Sequence, residues 1–278
     1  TVYTDANGRT RIFIPAKVQD NKFLIDADPD YIKRLDQLPE DQRRALRDGD
    51  WDTFEGQYFP EFNRDIHVIG PFDIPAHWRR YRAIDYGLDM LACYWIAVDS
   101  QNKSYVYKEL YQDNLIISDA AKAILRVNGK DVIYSTFAPP DLWNRRQETG
   151  KSAADLFREN GVLLTKVSND RVQGWYNLKE WLKPYKDEQG ITTAKLVIFK
   201  NCTNLIRCLP QLQHDERDPN DVATEPHEIT HAPDAIRYYC AGRPRAGEKP
   251  KKPDPQSYDA KYQRMVDSIT GGEVKINL

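Results

Sequence analysis

Three aspartates stand where a sheet and a helix could bring them together. Asp85 lies in the apolar stretch "RYRAIDYG", Asp141 follows the apolar run "DVIYSTFA" in "PPDLW", and Asp234 lies near the start of "HAPDAIRYYC". Aspartate is depleted in strands, and a buried carboxylate is costly unless a positive charge meets it. Neighbouring carboxylates repel unless they share a proton or a cation. We therefore expect Asp85 to face Asp141 across a divalent cation, with Asp234 as a third ligand.

The residue types indicate which cation would bind. Carboxylates without cysteine or histidine favour the hard ions Mg²⁺ or Mn²⁺, and two such ions about 3.5–4 Å apart suit in-line displacement at a phosphodiester. His231, three residues before Asp234, is interpreted either as a cap or solvated loop residue or as an acid–base group. Asp89, in the turn after Asp85, is expected to be solvated, with contact to a metal ion as the alternative.

Each aspartate also has an ordinary structural interpretation. Asp85 could accept backbone N–H groups at a strand end. Asp141 could be a turn residue after two prolines, and Asp234 could interact with the positive end of a helix dipole. The residue types alone do not separate these readings from metal ligation.

The apolar pattern predicts the elements that would position these side chains. Strands at 79–86, 91–98 and "YVYKELY" are joined by short turns and predict an antiparallel meander. "DVIYSTFA" follows a helical crossover, so it should lie parallel to strand 79–86 and bring Asp85 and Asp141 to neighbouring strand ends. The other predicted elements are the helices "IISDAAKAILRVNG", "SAADLFRENG", 171–186 and "TNLIRCLPQLQH", the strands "VLLTKV" and "AKLVIFK", and a last helix beginning near Pro233.

This order of elements and acids resembles the ribonuclease H-like nuclease fold, an α/β fold whose mixed sheet of five or more strands is flanked by helices. More specifically, the chain resembles the C-terminal nuclease domain of the large terminase subunit of tailed bacteriophages. The resemblance covers about residues 40–242, on the segments "RRALRDGDWDTFEGQYFPEF", "RAIDYG", "PPDLW", "NDRVQGW", "VIFKNCTNLIRCLP" and "HAPDAIRYYC".

The resemblance implies a function and a set of site residues. The expected activity is that of a two-metal-ion endonuclease, which cleaves concatemeric double-stranded viral DNA during genome packaging in the host cell cytoplasm. Asp85, Asp141 and Asp234 would hold two Mg²⁺ or Mn²⁺ ions, and His231 would join them as a catalytic residue. In the complete motor the portal protein and the small terminase subunit would be partners, whereas the isolated chain is expected to be a monomer.

Four regions are predicted along the chain. Residues 1–45 would be the C-terminal remnant of an ATPase domain, 46–78 a linker and 79–242 the nuclease domain. Residues 243–278 begin with a Pro- and Lys-rich run and would form a weakly ordered tail.

The ATPase of that family needs a phosphate-binding loop. The one near match is "RRQETGKSAADLF", in which Gly150, Lys151 and Ser152 precede a helix but Arg145 replaces the first glycine. A plain helix start is the simpler interpretation, so we expect no ATP hydrolysis by this chain.

The charge balance requires that any contact with DNA be local. The chain has 40 Lys and Arg against 42 Asp and Glu, a net charge of -2, so no global basic excess would attract nucleic acid. Phosphate contacts suffice for a nuclease with little sequence preference. The candidate DNA-binding residues, which follow Asp141 or later strand ends, are Arg145, Arg146, Lys151, Lys166 and Arg171.

Two other functions stay open. The chain could be a different ribonuclease H-like nuclease, such as a junction resolvase or transposase, or a non-catalytic module that docks DNA or the portal as a prophage remnant. No apolar run approaches the roughly 18–20 residues of a membrane helix, so no membrane partner is expected. The four cysteines form no paired motif and are expected to be reduced core residues: Cys93, Cys202, Cys208 and Cys240.

Overall fold

The structure is a computed structural model that describes most of the chain. The described residues are 17–38, 56–87, 89–147 and 150–242, with the segments 2–4 and 10–12 and the single positions 43, 46, 47, 49, 244 and 265. None of the helices in these ranges is both long enough and apolar enough to cross a bilayer.

The N-terminal region forms a small hairpin and two short helices. Strands β1 (Val2–Thr4) and β2 (Thr10–Ile12) pair antiparallel, and helices α1 (Lys22–Ala27) and α2 (Tyr31–Asp36) follow. The predicted short helix at 30–36 is confirmed as α2. The helix predicted in "LPEDQRRAL" lies largely outside the described residues, as does most of the C-terminal tail.

A seven-stranded mixed sheet forms the body of the molecule, with the strand order β3-β11-β6-β5-β4-β7-β8. Strands β9 and β10 pair separately as a small hairpin. In chain order, the elements are α3 (Arg64–His67), β3 (Val68–Ile69), β4 (Arg79–Tyr86), β5 (Met90–Val98), β6 (Ser104–Asp113), α4 (Ile117–Asn128), β7 (Ile133–Ala138), α5 (Ala153–Glu159), β8 (Thr165–Lys166), α6 (Arg171–Leu182), β9 (Tyr185–Lys186), β10 (Thr192–Thr193), β11 (Leu196–Phe199), α7 (Thr203–Cys208) and α8 (His231–Ala241).

The central pairings confirm the predicted topology. β4, β5 and β6 form the antiparallel meander, and β7 returns parallel to β4 after the crossover through α4. Several elements differ from prediction at their ends. Helix α6 stops at Leu182 rather than at about residue 186, which lies in β9. The strand predicted in "VLLTKV" is only Thr165–Lys166, the helix predicted in "TNLIRCLPQLQH" ends at Cys208, and α8 begins at His231, near Pro233 as predicted.

Helices cover both faces of the sheet because its strands are apolar on both sides. One face packs against α6 and α8, through Trp175, Leu178, Ala235 and Tyr239 among others. The opposite face packs against α4 and α5. The four cysteines are free and buried, which confirms the sequence-based prediction.

The segment before β4 contributes to this core. Tyr58, Phe59 and Phe62 are fully buried in the same cluster as α6 and α8, and β3 extends the sheet by pairing parallel to β11. The predicted domain boundaries stay predictions, but residues 56–69 pack as part of the body that the seven-stranded sheet forms.

His67 makes the stability of this body dependent on pH. It is fully buried at the end of α3. Its Nε2 lies 2.7 Å from the Leu182 carbonyl oxygen, and its Nδ1 lies 3.1 Å from the Asn63 N–H and 2.9 Å from the Asn63 carbonyl oxygen. Burial lowers the pKa of His67, although the backbone hydrogen bonds to Leu182 and Asn63 oppose this. The unfolded chain therefore binds a proton that the folded chain does not, so this stability is present above about pH 6.5 and is lost as the pH falls.

We expect the wild type to lose up to about 1.4 kcal/mol of unfolding free energy per pH unit below that point through this one group. His67→Gln should flatten the slope between about pH 6.5 and pH 5, measured by urea unfolding. The exposed His77→Gln variant is the matched control. An unchanged slope in His67→Gln would contradict the assignment.

Candidate active site

Asp85 and Asp141 come from neighbouring parallel strands, at the edge of the sheet where both strands end. Asp85 is the penultimate residue of β4 and pairs with Ala92 across β5. The β4–β7 register sets Ala83 opposite Phe137, so Asp85 lies level with the chain just beyond β7. There a 3-10 turn, Pro140–Trp143, carries Asp141, which is exposed.

The side chain that contacts the Asp85 carboxylate is that of His231. His231 Nδ1 lies 2.8 Å from Asp85 Oδ2, and the Asp85 side chain keeps 18% of its surface exposed. Burial raises the pKa of the Asp85 carboxyl and the charge of Asp234 adds to this, although the hydrogen bond to His231 opposes both. Burial disfavours the charge on His231, but Asp85 and Asp89 outweigh it and raise the pKa of the ring. The two carboxylates thus favour the protonated form of the His231 ring.

Asp234 is buried and held by arginine. Arg237, one helical turn further along α8, directs both Nε and Nη2 at Asp234 Oδ1 at 2.7 Å. Arg237 Nη2 also donates to Asn169 Oδ1, at 2.9 Å, and Arg171 lies 4.0 Å from Asp234 Oδ1. Because these contacts all fall on Oδ1, the carboxylate is fixed while Oδ2 is left for another partner.

Gly174 on α6 makes room for this clamp. A Cβ built on Gly174 would lie 2.7 Å from Arg237 Cγ and 2.9 Å from Arg237 Cδ, closer than carbon atoms pack. The Arg237 guanidinium also lies over the rings of Trp175 and Tyr238. The close approach of α6 to α8 therefore depends on a residue without a side chain.

Tyr238 lies near the aspartates. Burial is the main cause that raises the pKa of its hydroxyl, and the charges of Asp85, Asp234 and Asp141 add to it. All three carboxylates therefore act on this one hydroxyl, and their role as joint metal ligands stays a prediction.

A second group of side chains lies beside Asp85. Asp89 Oδ2 is 3.2 Å from His227 Nδ1 and 3.2 Å from His231 Nε2, and 57% of the Asp89 side chain is exposed. Asp89 is thus solvated, as expected, but it also contacts two histidines. Sequence analysis also missed His227. The available signal was the spacing of His227 and His231, four residues apart, which is a common spacing of paired metal-ligating histidines.

The basic residues predicted to bind DNA have different environments. Arg145 and Arg146 are exposed in the loop after Asp141, and Lys166 lies over the Trp143 ring. Lys151 pairs with Glu159 at 2.8 Å. Arg171 pairs with Asp221 at 2.9 Å and keeps 29% of its side chain exposed.

The loop that resembles a phosphate-binding motif serves as a helix start. Ser152 is the N-cap of α5 and forms a capping box with Asp155. This is the arrangement expected for a capped helix.

Known structures with a similar fold are large terminases. The nuclease domain of the P22 large terminase matches with a TM-score of 0.54 and 17% identity, over 68% of this chain and 93% of that one. The large terminase of a thermophilic bacteriophage, in complex with ATP-gamma-S, matches with a TM-score of 0.54 and 17% identity, over 81% of this chain and 54% of that one. Another structure of the same thermophilic-phage protein matches over 45% of its length, so this chain spans about half the length of that large terminase.

These comparisons identify the fold. The chain has the ribonuclease H-like fold of large-terminase nuclease domains, as the sequence predicted. No family model matches the chain, and no curated protein matches it significantly.

Proposed function

We propose that this chain is the nuclease part of a large terminase, a cation-dependent endonuclease that cuts concatemeric double-stranded viral DNA during packaging. The observation that carries the proposal is the position of Asp85 and Asp141 after neighbouring parallel strands, with Asp234 near enough to raise the pKa of Asp85, in a fold like that of the P22 nuclease domain. The portal protein and the small terminase subunit are the partners that this role would require.

The donor chemistry of the three acids fits Mg²⁺ or Mn²⁺. All three are carboxylates, the ligands that hard divalent ions prefer. Asp85 and Asp234 are close enough for the charge of one to raise the pKa of the other, and a dication would relieve that repulsion. We propose that the three acids hold two ions, which when bound supply charge stabilisation at the phosphoryl group and lower the pKa of a water molecule.

The remaining residues of this chain would position the acids and the proton donors. His231 contacts Asp85 Oδ2, and its ring can accept or donate a proton beside that carboxylate. Arg237 fixes Asp234. We propose that His231 acts as an acid–base or positioning group and that Arg237 acts only through Asp234.

A plasmid-nicking assay tests the function. The pure chain should nick supercoiled DNA in Mn²⁺ or Mg²⁺ and stop when EDTA is added. A chain that binds DNA but never cuts it, at any Mn²⁺ concentration, would instead favour the non-catalytic docking alternative.

DNA binding should depend on the exposed arginines after Asp141. When binding depends on phosphate contacts, the logarithm of the binding constant falls linearly with the logarithm of the salt concentration. The slope is about −0.9 for each phosphate contact. Arg145→Ala/Arg146→Ala should weaken binding to every duplex sequence alike and reduce that slope by roughly 2, measured by fluorescence anisotropy.

Arg126→Ala/Lys130→Ala is the matched control for this pair. Both residues are exposed near the end of α4. The chain there enters the start of β7, so the pair lies at the other end of the strands from Asp141. An equal loss in the control, or a loss confined to one DNA sequence, would contradict the proposed contact.

A further inference from the structure

Asp89, His227 and His231 form a cluster with the composition of a transition-metal site. Their ligating atoms all lie within 4.8 Å of one another. Four-coordinate metals with bonds of about 2.0–2.1 Å separate neighbouring ligand atoms by about 3.3 Å. The two measured separations from Asp89 Oδ2, 3.2 Å to each histidine, match that value.

The hydrogen bond to Asp85 prepares His231 as a ligand. A neutral ring that donates its Nδ1–H to Asp85 Oδ2, at 2.8 Å, presents the lone pair of Nε2 to the side of Asp89 and His227. A carboxylate that holds the other nitrogen of a ligating histidine fixes both its tautomer and its orientation. Because His231 is buried, its ring has little freedom to turn away.

The other two ligands are held by the local backbone. A Cβ on Gly87 would lie 2.5 Å from Asp89 Oδ1, so the absence of a side chain there lets the Asp89 carboxylate fold back over the hairpin turn. His227 begins a 3-10 turn, His227–Ile229, that leads directly into α8. The His227 and His231 rings pack edge to face, with their ring centroids 4.4 Å apart.

We propose that Asp89, His227 and His231 bind a Zn²⁺-type ion at a site separate from the three-acid site and joined to it through the His231–Asp85 hydrogen bond. Two nitrogens and one carboxylate oxygen favour Zn²⁺ or Co²⁺ over Mg²⁺, which prefers oxygen ligands and water. The segment "HEITH" matches the H-E-x-x-H pattern, which usually lies on one continuous helix. Here the first histidine begins a 3-10 turn and the second begins α8. The inference concerns metal binding alone and does not depend on whether the chain cuts DNA.

Titration of the full chain, without a polyhistidine tag, with Co²⁺ as a spectroscopic substitute for Zn²⁺ tests this site. We expect one equivalent of Co²⁺ to give a visible ligand-field band that Zn²⁺ abolishes and that a hundredfold excess of Mg²⁺ leaves unchanged. His227→Ala and Asp89→Asn should each weaken Co²⁺ binding by about tenfold or more. His214→Ala is the control, because His214 bonds the Pro219 carbonyl in the same loop.

Asp141→Asn separates this inference from the nuclease proposal. If that variant loses nicking but keeps the Co²⁺ band, the nitrogen-containing site is distinct from the three-acid site. A band that disappears in Asp141→Asn, that survives in His227→Ala, or that Mg²⁺ abolishes would place the Co²⁺ among the acids and overturn the inference.

Discussion

The Asp85→Asn variant is expected to lose cation-dependent DNA cleavage by about 10³-fold or more while remaining at least as stable as the wild type. Cation stabilisation of the transferring phosphoryl group is worth several kcal/mol, and each 1.36 kcal/mol is a factor of ten in rate. Asn keeps the shape of Asp but removes the charge that would attract the ion.

The stability of the same variant follows from the burial of Asp85. Burial raises the pKa of this carboxyl, which means that the ionised carboxylate is less stable in the folded chain than in water. Asn removes that cost, and its carbonyl oxygen can still accept the hydrogen bond from His231. Without metal, the melting temperature should therefore stay the same or rise.

The measurement combines plasmid nicking with thermal melting in EDTA and in Mn²⁺. Asp113→Asn is the matched control, since Asp113 is an exposed aspartate at the end of β6, opposite Met90 at the start of β5. The wild type and this control should gain melting temperature from Mn²⁺, and Asp85→Asn should gain less. Nicking by Asp85→Asn at the wild-type rate would refute the role assigned to Asp85.

The strands and helices around the site could be predicted because their signals are local. The meander of β4 to β6 follows from short polar turns between apolar runs, and β7 beside β4 follows from the handedness of crossovers. The strands that pair with β11 could not be predicted from such local signals. Strand β11 pairs parallel to β6 and also carries β3, a two-residue strand with no periodicity of its own.

The placement of Asp85 and Asp141 after neighbouring parallel strands was predictable, but the partners of the acids were not. Because β4 and β7 are parallel neighbours, the residues that follow their C-terminal ends lie together, and this places Asp85 and Asp141 at the same end of the sheet. Whether Asp234 meets a cation or an arginine depends on packing between α6 and α8, which the single residue Gly174 permits. Asp234 and Arg237 are three residues apart, which on a helix predicts contact, but the sequence does not show that the pair is buried.

Arg237→Met is expected to destabilise the fold by about 3–5 kcal/mol, because it leaves the buried carboxylate of Asp234 without its partner. Arg237 is 1% exposed and supplies two of the hydrogen bonds to Asp234 Oδ1. Met keeps most of the apolar volume over Trp175, so the loss measures the charge pair more than the packing. At about 2–4 °C per kcal/mol for a body of this size, the melting temperature should fall by about 10 °C.

A double-mutant cycle separates the pair from its surroundings. Asp234→Asn alone should also be strongly destabilising, because it leaves the Arg237 charge buried and unpaired. Asp234→Asn/Arg237→Met removes both charges, so the double variant should lose less stability than the sum of the two single losses, with a coupling energy within the roughly 0.5–3 kcal/mol seen for contacting residues. Additive losses, or a loss below about 1 kcal/mol for Arg237→Met, would show that the pair does not hold α8. If the coupling is found, cleavage lost in Asp234→Asn reports folding as well as chemistry, which makes Asp85 the cleaner position for testing the metal site.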